Sequence, residues 1–384
     1  MRGTATAGTG VLRSADRPSR GAGAVRVLAR VAPAPIDPTA PAPRVTVVVP
    51  CFDYAGYLPV AVRSALAQTG VRVDVVVVDD ASTDDSLAVA RALAADDDRV
   101  TVLAHSTNQG PVATFNDGLA RVTGDYLVRL DADDALTPGS LARAVALAER
   151  FPSVGMVYGR PVHFSGPVLP PARTDVRSWV VWSGASWLEH RCRRGVNCIT
   201  SPEVLMRTSV VRDVGGQRDL AHAHDMEMWL RLARAADVAR LDGPDQAWHR
   251  EHEASLSARE VDGLTDLHER ALAFATLFGD GRGDPVESQR LHGLARRALA
   301  REALLGACQG YVRGWADDAS TRPLLDFAHA MVDDVDDLPE AARLRASRRA
   351  GARRARYVPR LVAPAVLTLV DRRLRARAWQ RTGL

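Results

Sequence analysis

A chain of 384 residues and 41.4 kDa is long enough for one large domain with an appendage. Its 46% hydrophobic and 25% charged residues exclude global disorder, and four cysteines without a CxxC pair exclude a disulfide scaffold and a zinc site of the usual spacing. The net charge of +4 is uneven: residues 1–44 carry +5, residues 340–384 carry +11, and the middle carries −12, with no lysine anywhere. Basic charge confined to the ends of an acidic body argues against a nucleic-acid groove.

Residues 1–44 are rich in Ala, Gly, Pro and Arg without periodicity, and read as an extended, mobile arm. Order is expected from Val45. Apolar runs at Val45–Val49, Val73–Val78, Val100–Ala104, Tyr126–Leu130 and Gly155–Tyr158 have the length and continuity of strands covered on both faces, as in parallel sheets. Helical stretches separate them: Leu58–Gln68, Ser82–Ala95, Val112–Val122 and Pro138–Arg150. The alternation predicts an α/β, doubly wound, mostly parallel sheet. Past Ile199 the pattern loosens into a strand-like Glu203–Met206, a short helix ending at Gly215-Gly216, and a helix over Asp225–Ala236. After about residue 260 only helix signals remain, and an Arg-rich tail closes the chain. The expected division is an arm at 1–44, an α/β domain at 45–259, a helical appendage at 260–339 and the tail at 340–384.

Ligands of open α/β sheets bind outside the carboxyl ends of the strands. Three strands here end in polar residues: Pro50-Cys-Phe52-Asp53-Tyr54, Asp79-Asp80-Ala-Ser-Thr-Asp84, and Asp131-Ala-Asp133-Asp134. Carboxylates gathered at one edge repel each other unless positive charge sits among them, and a divalent cation with a diphosphate supplies it. Hard oxygen donors on Asp131 and Asp133 suit Mg²⁺ or Mn²⁺. Read alone, Asp79 and Asp80 could simply cap the following helix, Asp84 and Asp85 fit the first turn of one, and Gly110 and Gly118 could simply permit tight turns.

These segments, with Asn108-Gln-Gly110, Phe115-Asn116-Asp-Gly118 and Gly124-Asp-Tyr-Leu-Val-Arg-Leu-Asp131, resemble in order and spacing the nucleotide half of family 2 glycosyltransferases of the GT-A fold. The likeness extends more loosely through Val204–Gly216, His224-Asp225-Met-Glu-Met-Trp and Arg250-Glu-His252, about residues 45–257 in all. The resemblance implies an inverting, metal-dependent enzyme that moves one sugar from a nucleotide-sugar, most simply a UDP-sugar, to a glycan or lipid-linked acceptor in cell-surface polysaccharide or glycoconjugate synthesis. It implies that Pro50, Phe52, Asp53, Asp79, Asp80, Asn108, Gly110, Asn116 and Asp131 hold the nucleotide-sugar. Asp133 and His252 would hold the cation, Mn²⁺ or Mg²⁺, and Asp225 would be the general base.

The chain departs from the family pattern in places. Phe52-Asp53 stands where Tyr-Asn is common, His224 precedes Asp225 where Glu is common, and Gln217 follows Gly215-Gly216 where Phe is usual. The Gln-x-x-Arg-Trp signature of processive synthases is missing, which favours single-sugar transfer. Two rivals stand beside this reading: a catalytically silent nucleotide-sugar-binding scaffold, and a nucleotidyltransferase, which would want a Gly-rich basic loop where Pro50–Tyr54 lies. No apolar run reaches about 18 residues and the first 44 lack an apolar signal core, so a cytoplasmic protein is expected. The stretch Arg372–Trp379 could rest peripherally on anionic lipid.

Overall fold

In a computed structural model the described residues are 24–36, 39, 41–252, 262–314, 316–355, 357–362, 374 and 377–384. In chain order the strands are β1 (Val27–Val31), β2 (Arg44–Cys51), β3 (Arg72–Asp79), β4 (Val100–Ala104), β5 (Tyr126–Arg129), β6 (Ala135–Leu136), β7 (Val154–Tyr158), β8 (Pro161–Phe164), β9 (Ser178–Trp182), β10 (Val204–Arg207), β11 (Asp237–Asp242) and β12 (Ala247–Arg250). The helices are α1 (Leu58–Leu66), α2 (Ser86–Asp96), α3 (Gly110–Leu119), α4 (Ser140–Arg150), α5 (Gly184–Arg194), α6 (Thr208–Val214), α7 (His224–Ala235), α8 (Gly263–Phe278), α9 (Pro285–Arg313), α10 (Asp318–Met331), α11 (Pro339–Ala350) and α12 (Ala352–Ala355).

The valine runs form strands because their branched side chains pack on a pleated surface that helices cover on both sides. Val45, Val47, Val48, Val49, Val75, Val77 and Val78 are fully buried. Nine strands make one sheet in the order β1-β9-β11-β7-β10-β5-β2-β3-β4. β2 pairs in parallel with β3 and β5, and β3 with β4. β10 is inserted antiparallel between β5 and β7, so those two still point the same way. The chain winds outward from β2 to β4, then returns to lay β5 on the other side of β2. The switch point is therefore the crevice between the loops that follow β2 and β5.

Two regions differ from the sequence expectation. Val27–Val31, expected within a mobile arm, is an edge strand paired antiparallel with β9. Its residues are mostly exposed, so neither apolar continuity nor alternation marked it. Residues 1–23 lie outside those described. The second difference is a three-stranded sheet, β6-β12-β8, in which Ala247-Trp248 pairs with Leu136-Ala135. Strands of two and four residues are too short for a periodicity to register.

The helices after residue 262 pack on the same sheet face as α5 and α7. One continuous core joins Tyr158, Trp182, Trp187, Met228 and Trp229 to Leu267, Phe274, Leu291, Leu299 and Leu304. Among the described residues no helix is long and apolar enough to cross a membrane. Of the Arg-rich tail, residues 356, 363–373, 375 and 376 lie outside those described, and the ring of Trp379 is stacked on Tyr158 with centroids 5.6 Å apart.

Candidate active site

The loops at the switch point are tied together by their own polar side chains. Asp53, in the left-handed region at φ 58°, accepts from the Thr83 amide at 2.6 Å. Asp84 accepts from the amides of Ala55 at 3.0 Å and Ser86 at 2.8 Å, capping α2 and pinning the loop after β2. Phe52 is left 41% exposed, whereas Pro50 is buried within β2.

Asp79 and Asp80 end β3, and both are buried. Asp80 accepts from the amides of Gln109 and Gly110, both at 2.8 Å, and from His105 Nδ1 at 2.7 Å. It thus caps α3 and fixes the Asn108–Gly110 turn, with Asn108 exposed beside it. Burial opposes its charge, but these donors outweigh burial and hold the carboxyl below its usual range. Asp79 accepts from Ser82 N through one oxygen, while its other buried oxygen has no partner. Asn116 exchanges two hydrogen bonds with the backbone of Gln217, each 2.8 Å, and so clamps the loop after α6 onto α3.

Beyond β5 the carboxylates gather. Arg129, 5% exposed, donates from Nε to Asp131 at 2.9 Å and from Nη1 to Gln217 Oε1 at 2.7 Å. Burial would raise the Asp131 carboxyl, but the Arg129 guanidinium holds it below its usual value. The Gln217 departure from the family pattern therefore supplies an acceptor for a buried arginine.

The small sheet explains His252. Pairing of β12 with β6 lays the 247–252 segment along the Asp133-Asp134 turn. Asp134 accepts from the Arg250 amide at 2.8 Å and faces His249 Nδ1 at 3.1 Å, and His252 Nε2 lies 2.9 Å from Asp133 Oδ2. Burial, reinforced by Asp131, raises the Asp133 carboxyl, and burial raises Asp134. Burial disfavours the His249 cation, but the Asp134 carboxylate overrides it and raises that imidazole. The His252 ring stacks on Tyr57 at 5.7 Å, and the Arg250 guanidinium lies 4.7 Å from the centre of the same Tyr57 ring.

Asp133 and His252 offer one hard oxygen and one imidazole nitrogen to a cation. Among the described residues no group of three His, Cys, Asp or Glu stands in metal-holding geometry. A pair of side chains fits Mg²⁺ or Mn²⁺ if the remaining ligands come from phosphate oxygens and water, which is how such ions are commonly held at phosphate sites.

Asp225 lies half-buried in the first turn of α7, with Asn197 Nδ2 3.4 Å from its Oδ1. Burial pushes its carboxyl up to about 6, although Arg129 and the Met226 amide favour the charge. Burial and the Arg129 charge press the His224 imidazole down to about 3, so it stays neutral. Glu227 points away into the core, in an ion pair with Arg231 and Arg218. Burial pushes the Cys51 thiol up to about 12, which leaves it an inert packing group.

The structure thus brings Asp131, Asp133, Asp225 and His252 to one edge, where Arg129 and His224 also sit. It commits Asp53, Asp80 and Asn116 to bonds within the chain. Sequence reasoning assigned no role to Arg129, Asn197, Tyr57 or His249. Only Arg129 carried a signal, as an arginine closing an apolar strand.

Residues 46–215 match the family model described as glycosyl transferase family 2. Over 107 residues the chain is 40% identical to the succinoglycan biosynthesis protein ExoO of Rhizobium meliloti, covering 28% of this chain and 30% of that protein. The chain spans about half or less of the length of the first curated relatives it matches. Staphylococcus aureus TarS 1–349, solved with UDP-GlcNAc, superposes with a TM-score of 0.57 at 19% identity, over 79% of this chain and 88% of that one. The mannosyltransferase PcManGT of Pyrobaculum calidifontis, solved with GDP-Man and Mn²⁺, superposes with a TM-score of 0.50 at 22% identity, over 89% and 90%. The fold is the GT-A fold, with a helical C-terminal region added.

Proposed function

From the match of residues 46–215 to glycosyl transferase family 2, we propose that the chain moves one sugar from a nucleotide-sugar, a UDP-sugar in the simplest case, to an acceptor hydroxyl with inversion at the anomeric carbon. The observation that carries this reading is the meeting of Asp133 with His252, 2.9 Å apart, on the sheet edge that also holds the half-buried Asp225. A nucleotidyltransferase or a silent scaffold has no need of a carboxyl raised toward neutrality on that edge.

In this reading the exposed Phe52 ring stacks on the base, and the unpartnered oxygen of Asp79 accepts a donor hydrogen from the nucleotide. Asp80, Asp53 and Asn116 work one step back, by shaping the loops that carry Asn108, Gly110 and Phe52. Asp133 and His252 hold the divalent cation, which supplies Lewis-acid neutralisation of the departing diphosphate. Asp131, kept ionised by Arg129, orients the ribose. Asp225 takes the proton from the acceptor hydroxyl as that oxygen attacks in line. The succinoglycan biosynthesis relative supports a place for this transfer in polysaccharide synthesis. A peripheral contact of the tail with anionic lipid enters this reading through its arginines alone, since Trp379 is engaged on Tyr158.

Metal-linked binding tests the proposal. Asp133→Ala is expected to weaken UDP binding strongly in Mn²⁺ and little in EDTA, measured by calorimetry. Equal weakening in both buffers would remove Asp133 from the metal.

A further inference from the structure

The last residues of the chain are gripped by buried side chains of the α/β body. The Trp379 ring lies flat on Tyr158, planes 9° from parallel, with the Arg191 guanidinium 5.0 Å from its centre. Arg240 donates from Nη1 to the Trp379 carbonyl at 3.1 Å and from Nη2 to the Gln380 carbonyl at 2.9 Å. The Gly383 carbonyl accepts from Tyr158 Oη at 2.5 Å and from Arg191 Nη2 at 3.2 Å. Tyr158, Arg191 and Arg240 are 0%, 3% and 1% exposed. Gly383 has φ 75°, and a Cβ there would lie 2.3 Å from Arg240 Cδ, so the seat is shaped to glycine backbone. Buried guanidinium groups are costly unless their donors are used. Here three of their Nη donors are used on main-chain carbonyls of this one segment, while the buried Nε of each has no hydrogen-bond partner among the described residues.

Arg191 carries the contact onward. Its Nη1 donates to Cys198 Sγ at 3.0 Å. The neighbouring Asn197 accepts from the Ile199 amide at 3.2 Å through Oδ1 and donates from Nδ2 to Asp225 Oδ1 at 3.4 Å. At the start of the loop Arg270 binds the Gly195 carbonyl.

We infer that residues 379–383 form an intramolecular latch: seated on Tyr158, Arg191 and Arg240, the segment holds the 195–199 loop and, through Asn197, sets the Asp225 carboxylate. Arg191 and Asn197 are positioning residues. The consequence for turnover rests on Asp225 being the general base; the mechanical coupling does not.

Two full-length variants open the latch differently: Trp379→Ala removes the stacked ring, and Gly383→Val drives a Cβ into Arg240. Both are expected to raise amide hydrogen exchange at residues 196–199 about tenfold, while residues 50–55 and 105–110 keep parent rates. Cys198 is the half-buried member among four free cysteines, the other three being buried, so its labelling by a thiol reagent should accelerate in parallel and vanish in Cys198→Ser. UDP release from a UDP-sugar in Mn²⁺ should fall about tenfold with UDP affinity unchanged, a size that mutations along a packed network command. Parent exchange and labelling at 196–199 in both variants would overturn the latch. So would faster exchange spread evenly over the nucleotide loops, which marks a general brace. Local exchange that rises while Asp225→Asn still turns over at the parent rate would keep the latch and sink the base assignment.

Discussion

At the scale of single residues the chemistry is decided by how much water each carboxyl keeps. Asp225 begins a helix, where the macrodipole favours negative charge, yet burial wins and carries the group to about 6. In the proposed role of base Asp225 must be unprotonated, so turnover should climb as pH rises through about 6 and level off above it. Asp225→Asn keeps the shape and the Asn197 contact but cannot take a proton. Loss of a positioned base costs roughly 10²–10⁴-fold in rate, so kcat should drop by that factor while equilibrium UDP binding stays at the parent value. Glu203 is a second buried carboxyl, bonded to the amide and hydroxyl of Thr200 and raised by burial to about 8. Its folded value lies above the ordinary 4.5, so the native state binds the proton more tightly than the unfolded chain does. Stability from this group is complete below about pH 4.5 and is lost as pH climbs through 8. Glu203→Gln should therefore gain melting temperature over the parent increasingly from pH 5 to pH 8.5. A difference that stays flat across that range would mean the carboxyl is ionised throughout.

At the scale of elements, close approach matters more than propensity. Gly118 lies inside α3, where alanine is ordinarily the better helix former by about 1 kcal/mol. A Cβ at this position would sit 2.4 Å from Val48 Cγ1 of β2. The glycine, which sequence reading could take for a turn residue, lets α3 lie directly on the central strand that carries the loop after β2. Gly118→Ala should cost about 1–3 kcal/mol in chemical denaturation, the usual range for overpacking, and displace the Asn108–Gly110 turn. A stabilised Gly118→Ala protein would show that the helix can shift without penalty. The small sheet makes the same point for the site. Arg250 and His252 reach the carboxylate turn only because β12 pairs with β6.

At the scale of the whole molecule, the helical region and the α/β body share a core. Trp187, Met228 and Trp229 are covered by residues of α8 and α9, and Arg218 and Arg234 both pair with Asp280. We therefore read the division at about residue 260 as a change of architecture within one folding unit. A chain ended after residue 259 would expose those aromatics and is expected to aggregate. A soluble truncated chain with a cooperative melt near the parent temperature would establish two independent units.

The features legible in the chain are local and repetitive. Valine runs of strand length, the acids that follow them and the helical stretches between them carry their own periodicity, and so the parallel half of the sheet and the Asp131-x-Asp133 turn were legible from the chain. The family resemblance rests on those same segments. Tertiary structure alone decided which acids are free. Asp80 follows Asp79 in one motif and Asp53 lies in the loop after β2, yet both spend their oxygens on amides of other loops, because donors distant in sequence arrive there when the sheet closes. It also decided the partners of Asp131 and Asp225, and the seat of Trp379. The edge strand β1, the short β6-β12-β8 sheet and the Asn197 contact with Asp225 left no sequence pattern, since each depends on a pairing made across many residues by elements too short or too exposed to announce themselves.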